Sequence, residues 1–397
     1  MSKRTLRDLI NLKGKRVLIR VDFNVPLDEK TGAITNDRRI RAAIPTIKYV
    51  LDAGASAIVM SHLGRPKGDP KKDATFKMDH VAKRLGELLG KPVRKVDEVV
   101  GPSATAAASA LKPGEVLLLE NLRFHPGEQK GDEAFARQIA DLGDVYVNDA
   151  FGTCHRTDAS MYAVPTLMAG KPRAVGFLVA KELEILGQLL ANPKRPLVGI
   201  IGGAKVSDKI GFIKAMLQRV DKLLIGGAMA NTFAKAQGKA VGNSRVEADK
   251  LDVARELLKL GGDRMVLPVD RLIADKPDAT ATTKIVEGDV PDGWEAMDIG
   301  PKTIKLFADE IARAGTVVWN GPVGKFEDEP FSKGTRFIAQ ALANSLAITI
   351  VGGGETAEAV EEFGMADSMT HVSTGGGAFL EYVEGKPFKA LEVIDEK

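Results

Sequence analysis

Short apolar runs recur along the chain at Val17–Ile19, Ala57–Met60, Val116–Leu119 and Asp144–Val147, and helix-length patterns such as Phe76–Leu89 and Glu133–Leu142 separate them. This alternation predicts βαβ units and a parallel sheet. The second part repeats it with Leu197–Ile201, Lys222–Ile225, Thr316–Trp319 and Ala347–Val351. Between the two parts, Lys181–Leu190 carries apolar residues three and four apart, the mark of an amphipathic helix that would connect two domains. Asn192-Pro193-Lys194-Arg195-Pro196 then breaks the helix. The expected fold class is therefore α/β, with two parallel-sheet domains, and 397 residues suit two domains better than one core.

The first apolar run leads directly into Arg20-Val21-Asp22-Phe23-Asn24-Val25-Pro26. With a side-chain period of two, Arg20, Asp22 and Asn24 share one face and Val21, Phe23 and Val25 the other. Pro26 cannot donate to a ladder and should end the strand, which puts the polar face at a strand's C-terminal end, where open α/β sheets bind ligands. Arginines recur at comparable places: Arg38, Arg65 in Ser61–Pro66, Arg123 in Glu120–His125, and Arg156 in Gly152–Arg156. Guanidinium forks suit phosphate and carboxylate oxygens, so several at one sheet edge predict a pocket for a multiply charged small anion. His62, His125 and His155 show no metal-ligand spacing.

In the second part glycine clusters follow apolar strands: Gly202-Gly203-Ala204-Lys205, Gly226-Gly227 and Gly352-Gly353-Gly354-Glu355-Thr356. Glycine lets backbone amides approach phosphates closely. Ser373-Thr374-Gly375-Gly376-Gly377 should open a further helix whose N-terminal end favours an anion. Lys205 and Lys209, four apart, would present two ammonium groups to one side of a helix. The chain has neither a G-x-x-x-x-G-K-[ST] loop nor a G-x-G-x-x-G turn between strand and helix, so neither a P-loop nor a dinucleotide-binding dehydrogenase is supported.

Charge sharpens this division. Residues 1–180 carry 29 Lys and Arg against 21 Asp and Glu, whereas the rest carries 27 against 32. The basic half has no continuous basic helix and no aromatic interleaving, which fits a small polyanion rather than nucleic acid. The single cysteine, Cys154, excludes an intramolecular disulfide and suits a reducing compartment. Neither a signal peptide nor a membrane-spanning run is expected, which makes the cytoplasm the default location.

Taken together, Arg20–Pro26, Ser61–Gly68, Leu119–Pro126, Ala150–Arg156, Gly202–Lys209, Gly226–Phe233, Trp319–Glu327, Gly352–Thr356 and Ser373–Gly377 resemble the phosphoglycerate kinase family nearly end to end. The resemblance implies two Rossmann-like three-layer αβα domains joined by a helix and hinge. The substrate domain would span residues 1–175 with 380–397 packing back on it, the connecting helix 176–191, and the nucleotide domain 192–379. It implies reversible phosphoryl transfer between 1,3-bisphosphoglycerate with Mg-ADP and 3-phosphoglycerate with Mg-ATP, by a monomer. By the same resemblance Asp22, Phe23, Asn24, Leu63 and Gly64 would line the substrate, while His62, Arg65, Arg123 and Arg156 secure its phosphate. Arg38 would point at the acyl phosphate, Lys205 and Lys209 would approach the nucleotide phosphates as catalytic groups, and the Thr374–Gly377 helix start, with Gly376, would stabilise the phosphoryl group in flight. Gly202, Gly226, Gly227, Asn320, Pro322, Glu327, Gly353, Gly354, Glu355 and Thr356 resemble nucleotide contacts, with Glu355 contacting magnesium where the family usually has Asp.

Overall fold

A computed structural model describes residues 3–28 and 30–397. The chain divides into two compact units, one running up to Glu184 and including Pro387–Lys397, the other Ile185–Lys386. In the first, β1 (Arg16–Val21), β2 (Ser56–Met60), β3 (Val93–Lys95), β4 (Val116–Leu118), β5 (Val145–Asp149) and β6 (Arg173–Val175) form one sheet in the order β3-β4-β2-β1-β5-β6. Every pairing is parallel, and the register sets Arg20 beside both Met60 and Asn148. The chain therefore leaves β1, β2 and β5 at the same level. Val17, Ile19, Val21 and Phe23 pack on one face against Ile40, Ile47, Val81 and Leu85, all buried. The final residues are tied into this unit through Asp395, whose carboxylate accepts from the Arg173 backbone N–H at 3.0 Å and from its Nε at 2.9 Å.

The second unit holds β7 (Leu197–Ile201), β8 (Lys222–Ile225), β9 (Met265–Val266), β13 (Thr316–Asn320), β14 (Ile348–Gly352) and β15 (His371–Val372), ordered β15-β14-β13-β7-β8-β9 and again parallel throughout. A further sheet departs from the purely parallel expectation. Strands β10 (Asp270–Ala274), β11 (Thr283–Glu287) and β12 (Glu295–Ile299) pair antiparallel in the order β11-β10-β12. The apolar-run pattern missed it because β11 is mostly exposed and so has no apolar run to display.

Neighbouring side chains adjust the helix boundaries. Phe76–Leu89 reads as one helix, yet the structure has a short 3-10 turn at Asp73–Phe76 and a helix only from Asp79 to Leu89. Asn121 Nδ2 donates to the Phe76 carbonyl at 3.0 Å, so a carbonyl that a continuous helix would use is taken by the β4 loop, and Glu120 Oε1 accepts from the Met78 N–H at 2.9 Å where the helix starts instead. The connecting helix runs longer than its amphipathic core, Phe177–Ala191. Its start is fixed by Thr46 Oγ1, which accepts from the Phe177 N–H at 2.9 Å, and Asp149 Oδ1, which accepts from the Leu178 N–H at 2.9 Å.

Asn121 is fully buried and satisfied on every side: Oδ1 accepts from the N–H groups of Leu63 and Arg123, both at 3.1 Å, and Nδ2 donates to Leu63 at 2.7 Å as well as to Phe76. Asn121→Ala strands those backbone groups without partners, so it should cost about 3 kcal/mol, read as a lower urea midpoint of the first unit by circular dichroism.

Candidate functional site

The loops that leave β1, β2, β4 and β5 gather a cluster of cationic side chains. Arg20, the last-but-one residue of β1, is fully buried. Its Nε donates to Ser160 Oγ at 2.8 Å, its Nη1 donates to the Val21 carbonyl, and its Nη2 meets His62 Nδ1 at 3.3 Å. An arginine can only donate, so His62 Nδ1 is the acceptor there and Nε2 carries the ring proton. Burial holds the His62 imidazole well below its ordinary value; Asp22 opposes this, while Arg20, Arg123 and Arg156 reinforce it. His62 is therefore neutral at physiological pH.

Arg123 and Arg156 converge on the same place. Burial and then Arg156, with Arg20 and Arg65 behind it, push the Arg123 guanidinium down against the pull of Asp158. Arg123 Nη1 donates to the Gly64 carbonyl at 2.7 Å, but Arg123 Nε and Arg156 Nη1 are buried donors with no acceptor among the described residues. Buried donors of this kind call for a bound acceptor. Arg65 is exposed on the loop after β2. Asn24 Oδ1 accepts from the Gly64 N–H at 2.7 Å, bridging the β1 and β2 loops. Phe23 and Leu63 have side chains buried in the hydrophobic core, and their N–H groups are taken by Ser61 Oγ and Asn121 Oδ1.

Arg38 is the first residue of the helix Arg38–Asp52, but the guanidinium that engages Asp22 belongs to Arg39, which donates to Oδ2. Burial pushes the Asp22 carboxyl up, and Arg39, His62 and Arg20 more than offset this, leaving it below the usual carboxylate range. The signal was available in the helix period. Arg39 lies in phase with buried Ala43, Thr46 and Val50, whereas Arg38 shares a face with exposed Arg41, Pro45, Lys48 and Asp52. Sequence reasoning also missed Glu128 and Ser160, because nothing local marks a carboxylate and a hydroxyl 32 residues apart as partners.

In the second unit the loops after β7, β8 and β13 stack backbone on backbone. The Gly203 N–H donates to the Pro322 carbonyl at 2.8 Å and the Gly227 N–H to Val323 at 2.9 Å. A Cβ on Gly202 would lie 2.0 Å from the Pro322 oxygen, and one on Gly226 2.6 Å from Val323 Cβ. Above these turns opens a cavity of about 370 Å³, whose walls include Gly203, Gly227, Pro322, Glu327 and Glu355. Gly202 and Gly226 lie under it as packing positions. Asn320 Nδ2 donates to the Gly352 carbonyl at 2.8 Å, and Thr356 Oγ1 accepts from the Gly321 N–H at 2.7 Å, fixing the helix Gly354–Glu362 beside the cavity. Gly353 precedes that helix at φ +99°, and Gly376, at φ +50°, precedes the helix Gly377–Val383.

Lys205 and Lys209 do not share a helix. Lys205 is exposed in the loop after β7, a 3-10 turn covers Ser207–Lys209, and the helix begins at Ile210. The glycine turns delay the helix, and the Lys209 ammonium folds back to donate to the carbonyls of Gly202 at 2.7 Å and Asn320 at 3.2 Å.

A cluster of guanidinium groups at one parallel sheet edge and a glycine-walled cavity at another define an α/β enzyme that handles phosphorylated ligands. Residues 6–386 match the sequence model of the phosphoglycerate kinase family. Over its full length the chain is 55% identical to the phosphoglycerate kinase of Moorella thermoacetica and 54% identical to that of Rhodopirellula baltica, with all of each relative covered. Among solved structures it is similar to phosphoglycerate kinase from Coxiella burnetii (TM-score 0.86, 41% identity) and from Pyrococcus horikoshii (0.87, 31%), with 98% of both chains covered in each comparison. The chain belongs to the phosphoglycerate kinase family and is a glycolytic transferase.

Burial pushes the Lys209 ammonium down to about 8, against the attraction of Glu355 and Asp208. Because this lies below the free-lysine value of 10.5, the unfolded chain holds the proton more tightly, and stability from this group rises with pH between about 8 and 10.5. A lysine ε-carbon titration by NMR should show one resonance with a midpoint of about 8 that Lys209→Met removes. Glu355→Gln, which takes away an attracting charge, should move that midpoint lower.

Proposed function

We propose that the protein transfers a phosphoryl group directly between 1,3-bisphosphoglycerate with ADP and 3-phosphoglycerate with ATP, in line and without a phosphoenzyme. The observation that carries this reading is the pair of buried donors on Arg123 and Arg156 that have no acceptor among the described residues, set among Arg20, Arg65 and neutral His62. Such a cluster suits a phosphorylated acid rather than a neutral sugar. Asp22 and Asn24 orient the hydroxy-acid end, and Arg65, Arg123, Arg156 and His62 hold the remote phosphate.

Arg39, held by Asp22, takes the place at the acyl phosphate that the sequence suggested for Arg38. From the second unit, Lys209 and Lys205 meet the nucleotide phosphates, the glycine-walled cavity takes the nucleoside with Glu327 near the ribose, and the Gly376 turn offers its amides to the moving phosphoryl group. Glu355 is exposed, lines the cavity and sits in the first turn of Gly354–Glu362, which fits a magnesium ion that takes one or two carboxylates and otherwise phosphate oxygens. When bound, the ion neutralises charge on the nucleotide phosphates.

Phosphoryl transfer asks little covalent chemistry of the protein, so catalysis is positioning plus stabilisation of the equatorial oxygens by Arg39, Lys205 and Lys209. The residues for the two substrates belong to different units, and direct transfer therefore requires hinge closure that excludes water from the acyl phosphate. The single cysteine, buried Cys154, and the lack of any membrane-spanning helix among the described residues support a cytoplasmic enzyme, and we take it to act as a monomer.

The test is turnover of ATP with 3-phosphoglycerate and magnesium in a coupled assay. Arg39→Ala should lower kcat by about 10²–10³ with both ligands still bound, Arg38→Ala should change it less than about threefold, and Glu327→Ala should mainly raise the KM for ATP. Loss of turnover with Arg38→Ala alone would return the role to Arg38. Binding of both ligands without any turnover would overturn the transfer reading.

A further inference from the structure

Beneath the cationic cluster runs a buried chain of polar groups that need not touch substrate. Arg20, Ser160 and Glu128 are each fully buried. Arg20 Nε donates to Ser160 Oγ at 2.8 Å, Ser160 Oγ donates to Glu128 Oε1 at 2.5 Å, and the Ser160 N–H donates to Glu128 Oε2 at 2.9 Å. Ser160 lies on a single π-helical turn, Ala159–Ala163, and its carbonyl accepts from the Tyr146 hydroxyl at 2.8 Å. Such turns are frequent at functional sites.

The hydrogens in this chain are countable. Arg20 has no acceptor to offer, so Ser160 Oγ accepts from Nε, which leaves its one hydrogen to donate to Glu128 Oε1. The other carboxyl oxygen faces the Ser160 N–H. Both oxygens of Glu128 meet Ser160 donors when the group is a carboxylate; burial pushes the carboxyl up, and Arg20 and the two Ser160 hydrogen bonds pull against that. A protonated acid or an amide turned towards Ser160 Oγ would donate to it and send the hydroxyl hydrogen elsewhere, so only the carboxylate accepts from Ser160 through both oxygens. The same direction of donation continues at the far end of Arg20, where Nη2 gives its hydrogen to His62 Nδ1.

We propose that Glu128 and Ser160 are positioning residues of the substrate site: ionised Glu128, acting through the Ser160 hydroxyl, fixes the Arg20 guanidinium so that it holds His62 in the Nε2–H tautomer. The inference rests on the reading of the cationic cluster as the 3-phosphoglycerate site. A structural role alone would lower stability and leave ligand selectivity untouched. A relay predicts a selective defect. Removing one hydrogen bond to a charged group should raise the KM for 3-phosphoglycerate about tenfold in Ser160→Ala, with the KM for ATP within about twofold.

The experiment combines kinetics of the full chain with the ring ¹⁵N shifts of His62. Ser160→Ala and Glu128→Gln should each raise the KM for 3-phosphoglycerate, and the double variant should be no worse than Ser160→Ala alone, since both cut the same chain. Wild-type His62 should report the Nε2–H tautomer, and Ser160→Ala should lose that preference. Additive effects, equal rises in both KM values, or an Nδ1–H tautomer in the wild type would overturn the proposal, and the last needs no variant to fold. Absence of wild-type turnover would instead count against the reading of function, while the tautomer measurement would still decide the relay.

Discussion

Parallel pairing is the constraint from which both units follow. Parallel strands cannot be joined by tight hairpins, so each returns through a crossover and every strand of a sheet exits at the same edge. In the first unit this brings the residues after β1, β2, β4 and β5 together although they are spread over more than a hundred positions of the chain. In the second it stacks the loops after β7, β8 and β13 directly on one another. Neither site has its own scaffold; each is the edge of a sheet.

The two edges are built for opposite tasks. At the first, cations are gathered beyond what the protein neutralises by itself. Asp22 is committed to Arg39, and Glu128 is linked to Arg20 through Ser160, which leaves Arg123 and Arg156 to face one another at close quarters. Like charges held together in a partly buried place are costly when empty and favourable when an anion arrives. At the second edge the design is subtraction. The glycines whose Cβ atoms would strike Pro322 and Val323 allow three loops to pack closely, and the same missing side chains leave room above them. Packing and ligand access are there one property.

Much of this was legible locally. The strands of the two large sheets that carry the sites are apolar runs, and the arginines and glycines that matter stand just beyond them. Arg39 was legible too, since a helix period carried back from Ala43, Thr46 and Val50 selects it over Arg38. The antiparallel sheet β10–β12 was not, because β11 is exposed and its partners are chosen by register rather than by pattern. Lys209 was misplaced for a related reason. Helical spacing assumes a helix, and the preceding glycine turns delay it until Ile210.

The sequence by itself determined the α/β alternation, the division into a basic and an acidic half, and the kinds of group that stand at each strand end, because these depend on side-chain periodicity and composition within a few residues. Tertiary structure alone decided which of those groups meet. Arg20 and Ser160 are 140 residues apart, Asn121 and Leu63 are 58 apart, and Lys209 reaches Asn320 across 111. Whether a guanidinium is neutralised or left for a ligand is settled by such long-range partners, since the electrostatic field that fixes its role acts through space and not along the chain.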